Sequence, residues 1–192
     1  YETLADATIF GTDGSGDKFS RDKRLRACGA GVSAVAPVGL GFVVTGGVQS
    51  GVRGNQTVPR AELTAACIAL EIARKPRIEI IVDASYVLWG LKAGATRTLA
   101  SPNCDLWARF WIALERRGGR KTAVFTKIQS HLTDAEIQCG LASAQHAALN
   151  EAADHFAGLA AAAREPDSDT VARVLHLDKR SWLIQRRVLA VA

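Results

Sequence analysis

The chain has 192 residues, a formal net charge of +5 and 48% hydrophobic residues. That length allows one domain with or without an appendage, and the composition is that of a soluble globular protein, which excludes disordered and fibrous classes. The positive charge favours a polyanionic partner. The four cysteines include no Cys-x-x-Cys pair, which argues against a zinc site and is typical of an intracellular protein with reduced thiols.

The first predicted elements are a buried strand and a hairpin. The strand covers residues 7–12 and ends at Asp13. Residues 27–52 then carry no charge over a length that could span a bilayer. Seven glycines and Pro37 interrupt this stretch, so it predicts two antiparallel strands with a turn at residues 37–39 and no membrane span.

A helix and a second buried strand follow. Apolar residues at helical spacing predict a helix over residues 59–75, with Glu62 in its first turn. The β-branched run at residues 78–82 predicts a strand that ends at Asp83.

The middle of the chain predicts a short loop and an aromatic-rich helix. Residues 89–101 contain only a short loop with Lys92 and Arg97. Ser101 is the expected N-cap of the helix, with Pro102 at its first position and glycines 118–119 at its end. Its aromatic residues follow the helical period, so we expect them in the core and not on a nucleic-acid surface.

The remaining catalytic-domain elements are a strand, a long loop and a helix. Alternating apolar residues predict a strand over residues 124–128, which leads to His131. Residues 132–149 predict an extended, mobile loop with a short helix near its end. An Ala-rich helix is expected after Asn150, with Asp154 in its first turns.

Four carboxylates occupy positions that packing alone does not explain: Asp13, Glu62, Asp83 and Asp154. Strand ends and helix starts of an α/β sheet can meet at one edge, where four acids would repel one another without cations. A hard, oxygen-liganded ion such as Mg²⁺ fits this set, and phosphodiester cleavage is its chemistry. Taken singly, each acid could equally be a turn residue or a residue that complements a helix dipole.

Four strings around these acids occur in order: Asp13-Gly14-Ser15, Arg60-Ala61-Glu62-Leu63, Val82-Asp83-Ala84-Ser85-Tyr86-Val87 and Asn150-Glu151-Ala152-Ala153-Asp154. Together they resemble the ribonuclease H family, type 1, over about residues 9–159. The resemblance implies an α/β ribonuclease H-like fold: a mixed five-stranded sheet, three antiparallel strands followed by parallel additions, with helices on both faces.

The resemblance also implies a metal-dependent endonuclease that hydrolyses the RNA strand of RNA–DNA hybrids. Two Mg²⁺ ions, for which Mn²⁺ can substitute, would clamp the scissile phosphate. Asp13 would bridge both ions, Asp154 would hold the ion on the nucleophile side, and Glu62 with Asp83 would hold the other.

A histidine in a flexible loop serves proton transfer or product release in this family. His131 matches it through its strand context. The segment from His131 to Asp154 is longer than the family pattern, however, so His146 competes for the role because it lies closer to Asp154.

Substrate contacts are also implied by the resemblance. Arg60, Asn103 and Ser15 match positions at or near the nucleic acid, whereas Val58 and Ser85 replace polar residues that are usual there. The basic handle helix of some members is missing, as in retroelement and retroviral domains. We therefore expect a domain of a retroelement polyprotein, with a neighbouring reverse transcriptase supplying part of the substrate affinity.

Two alternatives stay open. One is a catalytically silent nucleic-acid-binding or assembly domain, which the altered substrate positions and the long insertion favour. The other is a relative of the same fold that acts on DNA, such as an integrase or a junction resolvase. Those relatives usually use three acids and lack the Arg-Ala-Glu-Leu string.

The chain is expected to divide into a catalytic domain at residues 1–163 and a linker with an amphipathic helix at residues 164–192. Ser168 is the expected cap of that helix. Docking onto the domain is its leading arrangement, and contact with a partner or membership of the next module of a polyprotein are the alternatives. The chain has no methionine and opens at Tyr1 in ordinary sequence, which indicates a segment of a longer polypeptide.

Overall fold

A computed structural model of the chain describes residues 3–16, 18–129 and 132–191. One mixed sheet has the strand order β3-β2-β1-β4-β5. β1 to β3 are antiparallel neighbours, whereas β4 pairs in parallel with β1 and β5 pairs in parallel with β4. This confirms the predicted fold class. The strands are β1 (Ile9–Gly16), β2 (Cys28–Val38), β3 (Gly41–Gly51), β4 (Ile78–Val82) and β5 (Ala123–Lys127).

Helices cover both faces of the sheet. The helices of the chain are α1 (Val58–Ile72), α2 (Ser85–Ala93), α3 (Ala95–Leu99), α4 (Cys104–Arg116), α5 (Asp134–Gln138), α6 (Ala144–Ala162) and α7 (Ser168–Val191). The main core lies between α1, α4 and one face of the sheet, where Phe10, Leu63, Trp107 and Phe110 are fully buried. The aromatic residues of α4 are therefore core residues, as their spacing predicted.

On the other face of the sheet, glycine residues at the contact positions allow α6 to approach the strands closely. A Cβ atom on Gly11, Gly29 or Gly31 would lie 2.2, 2.2 or 2.0 Å from a backbone oxygen of α6. No side chain fits into such a space. The glycines of the charge-free stretch therefore form a smooth surface for the small residues of α6.

Several element boundaries differ from the prediction in the first half of the chain. β1 continues through Asp13 to Gly16, because its partner β2 extends the antiparallel ladder to that point. The hairpin turn falls at residues 39–40, where Gly39 has φ +60°. α1 ends at Ile72 and not at residue 75, since the backbone N–H of Arg74 instead donates to the carbonyl of Ala5 (2.8 Å).

The region before α4 also differs. Residues 95–99, predicted as loop, form α3. Ser101 does not cap α4, because its hydroxyl donates to the carbonyl of Thr98 (2.7 Å) at the end of α3. Asn103, in a left-handed conformation, precedes α4 instead of the predicted Ser101–Pro102 start.

The second half of the chain holds two more differences. The predicted long loop contains α5, which Thr133 and Glu136 stabilise as a reciprocal capping box. α6 begins at Ala144 with Ser143 as its cap, so Asp154 lies in its third turn and not in its first.

The C-terminal helix α7 is not docked as expected. Asp167, and not Ser168, accepts the capping hydrogen bond from the N–H of Thr170 (2.7 Å). Seven large apolar side chains of α7 are exposed: Leu175, Leu177, Trp182, Leu183, Ile184, Val188 and Leu189. The prediction that α7 docks on the domain through its apolar side is therefore wrong, and the ion pair of Arg24 with Asp178 connects the helix to the domain instead. No helix in the described ranges is both long and apolar enough to cross a membrane.

The glycine surface under α6 gives a direct test. Gly31→Ala should lower the free energy of unfolding by about 1–3 kcal/mol, because the added methyl group meets backbone that cannot yield. Gly41→Ala is the matched control, since a Cβ there has no atom within 4 Å. We expect the control to change stability by less than about 0.5 kcal/mol in urea denaturation. Equal stabilities of the two variants would contradict this account of α6 docking.

Candidate active site

Three of the four predicted acids meet at the carboxyl end of β1 and β4. One carboxylate oxygen each of Asp13, Glu62 and Asp83 lies within 4.8 Å of the other two. The parallel register pairs Thr12 with Val82, so the next residues along the two strands are Asp13 and Asp83. This neighbourhood follows from strand pairing alone.

Glu62 reaches the cluster because α1 lies directly against β1. A Cβ atom on Gly14 would come within 2.4 Å of the Glu62 backbone nitrogen and 2.8 Å of the Ala61 Cβ. The glycine after Asp13 therefore allows the first turns of α1 to approach the strand. As a result, the Glu62 side chain is buried beside Asp13.

Asp154 joins the same cleft from the opposite face of the sheet. Gly31 pairs with Asp13 in the sheet and also contacts Ala153 of α6, so the next helical residue lies beside Asp13. A side-chain hydrogen bond with Asp154 is one cause of the raised pKa of Asp13. All four acids line one cleft of about 240 Å³ together with Gly14, Ser15, Gly16, Val58 and Asn150.

The cluster is electrostatically strained in the absence of cations. Burial, then the neighbouring charges of Asp13 and Asp83, raises the pKa of Glu62 to about 10. Burial and the charge of Asp83 raise the pKa of Asp13 to about 7. Among the described residues, none of those that line this cleft carries a positive charge to offset these acids. The site is therefore suited to receive cations from solution.

The donor atoms fit a hard divalent cation. Glu62 Oε2 is buried and has no hydrogen-bond partner among the described residues. A buried oxygen without a partner destabilises the fold unless an ion or a water molecule binds to it. Carboxylate oxygens at this spacing are the ligands that Mg²⁺ and Mn²⁺ accept. The residues present therefore fit the ions that the resemblance implies.

Asn150 is a site residue to which the sequence assigned no role. It is buried, it lines the cleft, and its Oδ1 lacks a hydrogen-bond partner among the described residues. It lies four residues before Asp154 on α6, and this i, i+4 spacing places both on one helix face. That spacing was the available signal.

The three predicted substrate residues lie in different surroundings. Ser15 lines the cleft beside Asp13. Arg60 is buried, with its guanidinium donating to the Arg53 carbonyl (2.7 Å), Asn103 Oδ1 (3.2 Å) and Asp105 Oδ1 (2.8 Å). Its hydrogen bonds are thus made within the protein, and they connect α1 to Asn103 and to the first turn of α4.

Asn103 is held from several sides in its left-handed conformation (φ 64°). Its Nδ2 donates to the hydroxyl of Tyr86 (3.1 Å), which also accepts from Trp107 Nε1 (3.1 Å). The Tyr86 hydroxyl in turn donates to the Pro102 carbonyl (3.1 Å). Tyr86 is therefore a second residue whose role the sequence did not indicate.

Of the two histidines that the sequence offers for the catalytic loop, the structure describes only one. His131 lies outside the described residues. The imidazole Nε2 of His146 lies 3.7 Å from Glu79 Oε1, and Glu79 pairs with Ile9 at the amino end of β4. His146 is thus four strand positions away from Asp83 and does not line the cleft. The structure does not bring it to the acids.

The inserted segment forms a second cavity beside the acids. This cavity measures about 350 Å³ and shares Asn150 and Asp154 with the first cleft. Its other lining residues come from the end of β5, from α5 and from α6: Ile128, Gln129, Leu132, Ile137, Ala147 and Glu151. The insertion therefore widens the site on the side of Asp154.

Comparisons with known proteins agree with this geometry. The family model described as RNase H matches residues 6–162. The solution structure of the RNase H domain of prototype foamy virus is 18% identical and superposes with a TM-score of 0.61, covering 81% of this chain and 94% of that one. A search of curated proteins found no significant match.

Two larger foamy viral structures are similar as well. A protease–reverse transcriptase in complex with RNA/DNA hybrid matches at 15% identity and a TM-score of 0.59, over 82% of this chain. The native protease–reverse transcriptase of prototype foamy virus matches at 19% identity and a TM-score of 0.59, over 80% of this chain. In both cases the match covers 20% of the viral chain.

The matched family model covers most of the chain, and the sheet order and acid cluster are those expected for it. The chain belongs to the RNase H family.

Charge repulsion in the cluster predicts a gain in stability when one acid is neutralised. In EDTA at pH 7, Asp13→Asn should raise the free energy of unfolding by about 1–3 kcal/mol, since one pKa unit corresponds to about 1.4 kcal/mol. Adding Mg²⁺ should stabilise the wild type more than the variant, because only the wild type retains the complete ligand set.

The pH dependence has a definite sign. The raised folded pKa means that the wild type loses stability as the pH rises from about 4 towards about 7. The difference between Asp13→Asn and wild type should therefore be small at pH 4, where Asp13 is protonated in the folded state and only about half ionised in the unfolded chain. Denaturation curves at both pH values measure it, and a variant less stable than wild type at pH 7 would contradict the account.

Proposed function

We propose that the chain is a divalent-metal-dependent endonuclease that hydrolyses the RNA strand of RNA–DNA hybrids, with Mg²⁺ as the cofactor and Mn²⁺ able to substitute. The observation that carries the proposal is the position of Asp13. It contacts Asp154 on one side and lies within the Asp13–Glu62–Asp83 cluster on the other. A shared acid between two groups of ligands is what two cations at one phosphate require.

The same arrangement supports a division of the ligands. Glu62 and Asp83 would hold one ion, Asp154 the other, and Asp13 both. When bound, the two ions would supply an activated water nucleophile and charge stabilisation at the leaving oxygen. The protein itself contributes rigid placement of the carboxylates, since β1, β4, α1 and α6 each fix one of them.

Residues around the acids would position the substrate. Ser15 and Asn150 line the cleft and would contact the bound strand. Asn103 would contact the DNA strand, while the buried Arg60 would act indirectly by holding Asn103 in place. Selectivity for a hybrid requires the 2′-hydroxyls of one strand to be sensed. His131 keeps its proposed role in proton transfer or product release.

The context we propose is a retroelement polyprotein with a reverse transcriptase domain as neighbour. The similar foamy viral proteins contain a protease and a reverse transcriptase, and one is bound to RNA/DNA hybrid. Between α2 and α4 this chain has only the five-residue α3, so it has no long basic insertion there. A neighbouring domain would then supply part of the affinity for the hybrid.

The alternative is a catalytically silent nucleic-acid-binding or assembly domain. The four acids in one cleft argue against it, because their mutual repulsion destabilises the fold and an inactive scaffold would gain no function in return. Hybrid binding without metal-dependent turnover would favour this alternative. Preference for duplex DNA over hybrid would instead indicate a DNA-processing relative.

Cleavage of a labelled RNA–DNA hybrid in Mg²⁺ tests the proposal. Asp13→Asn and Asp83→Asn should each lower the rate by at least about 100-fold, because an amide cannot replace an anionic ligand where charge develops in the transition state. Glu62→Gln should lose activity too. Its matched control is Glu115→Gln, an exposed acid of α4 that should retain the wild-type rate. Equal cleavage by wild type and Asp13→Asn would refute the proposal.

The indirect role of Arg60 can be separated from general stability. Two ion pairs connect α1 to α4: Arg60–Asp105 beside Asn103, and Arg109–Glu71 further along both helices. Arg60→Ala should raise KM for the hybrid by about 10-fold, since Asn103 loses its support. Arg109→Ala removes the comparable pair without touching Asn103 and should leave KM unchanged. An equal effect of the two substitutions on KM would reduce Arg60 to a structural residue.

A further inference from the structure

The C-terminal helix α7 carries most of the net charge of the chain. It contains five Arg or Lys residues and two Asp residues, a net of +3 out of the +5 of the whole sequence. The domain body therefore carries only about +2 over seven times the length. All five cationic side chains are exposed, and none forms an ion pair with the described residues: Arg173, Lys179, Arg180, Arg186 and Arg187.

These cations are confined to one side of α7. At about 100° per residue, all five fall within an arc of roughly 140° around the helix axis. Arg173, Arg180 and Arg187 recur every seven residues and form a row roughly 21 Å long. Asp178 lies on the opposite side. The helix thus presents a continuous cationic row, defined by these three arginines, away from its one interior acid.

The ion pair of Asp178 orients the helix on the domain. Arg24 donates from its Nη1 and Nη2 atoms to both carboxylate oxygens of Asp178, at 2.7 Å each. Arg24 belongs to the connection between β1 and β2 at residues 18–27, and Lys18 of the same connection pairs with Glu165 just before α7. The side of α7 that carries Asp178 therefore faces the body, and the cationic row faces outward.

This connection leaves the sheet at the same end as the acids. β1 runs from Ile9 to Gly16, and Asp13 lies three residues before its end. The connection follows directly, so Arg24 anchors α7 at the catalytic end of the sheet and not at the end where β4 and β5 begin. Nucleic acid long enough to leave the cleft on this side would meet the helix.

We propose that α7 is a nucleic-acid-binding arm whose cationic row contacts the sugar–phosphate backbone of the substrate beyond the active site. The proposal rests on the proposed function for the identity of the bound duplex. A row of roughly 21 Å spans about six base pairs, so three arginines can each reach a different phosphate. The contacts would be independent of base sequence, because they involve only backbone charge.

Charge complementarity decides the occupant. The exposed leucines of α7 could also serve a second copy of the chain or a lipid surface. However, six of the seven exposed apolar residues of α7 fall within an arc of about 180° that contains Asp178, the side that faces the body, and only Leu183 lies among the cations. The outward side of the helix is therefore the cationic one. A polyanion is therefore the partner that this surface fits.

The test measures hybrid affinity separately from turnover. The full chain and its Arg173→Ala/Arg180→Ala/Arg187→Ala variant are titrated into a fluorescent 20-base-pair hybrid in EDTA at several salt concentrations. Alanine preserves the helix. The variant should bind roughly 10-fold more weakly at low salt, and its slope of log affinity against log salt should be shallower by up to about 3. The affinity of the variant for duplex DNA of the same length should fall by the same factor. Lysine in place of arginine at the three positions should restore most of the lost affinity.

A matched control removes the same charge elsewhere. Arg77, Arg116 and Lys121 are exposed and lie near the opposite end of the sheet, before β4, at the end of α4 and before β5. Changing all three to alanine should leave hybrid affinity within about 2-fold of wild type. Equal losses in both triple variants would mean that only net charge matters, and would overturn the proposal of a specific arm.

The remaining outcomes separate this inference from the proposed function. If the α7 variant binds the hybrid with the same affinity and the same salt dependence as the wild type, the proposal of a binding arm is refuted, even if the wild type cleaves the hybrid. Self-association in sedimentation, or binding to anionic vesicles, combined with that unchanged affinity would assign α7 to the other occupants. If the variant loses affinity but the wild type cleaves no hybrid with Mg²⁺, the arm stands and the proposed function fails.

Discussion

The constraint on which this structure depends is the close approach of two helices to opposite faces of β1 and β2. Gly14 lets α1 lie against β1, and Gly31 lets α6 lie against β2 beside Asp13. A side chain at either glycine would push a helix away and move its acid out of the cleft. Backbone contact therefore sets the distances between the carboxylates, which flexible side-chain packing could not hold as firmly.

That packing brings acids together at an electrostatic cost. Burial and mutual repulsion raise the pKa of Asp13 to about 7 and that of Glu62 to about 10, so the protein without cations disfavours the charged state of its own site. Folding energy from the core between α1, α4 and the sheet must offset this penalty. The same penalty becomes binding energy for a divalent cation. Stability and function are thus opposed at this cleft, as is usual for preorganised sites.

The sequence was sufficient for the mixed five-stranded sheet and for the meeting of Asp13 with Asp83, because buried strands that pair in parallel bring their ends together. The start of α6 was missed, since it depends on which helix turn meets Gly31 in the folded chain. The spacing of Asn150 and Asp154 was visible in the sequence, but it does not show that the Asn150 side chain is buried in the cleft. The prediction from sequence misplaced the start of α4 because Ser101 closes α3 instead of capping the next helix. The exposure of the apolar side of α7 was missed because the helical period alone does not show whether another element packs against that side.

We propose that this cleft holds two divalent cations on a shared Asp13. Crystals of the Asp154→Asn variant and of the wild type, each soaked in Mn²⁺ with a hybrid whose scissile phosphate resists hydrolysis, test it through anomalous scattering. We expect two peaks about 4 Å apart on either side of Asp13 in the wild type, and loss of the peak beside residue 154 in the variant. The absence of any peak among the four acids of the wild type, or ions bound only elsewhere, would contradict it.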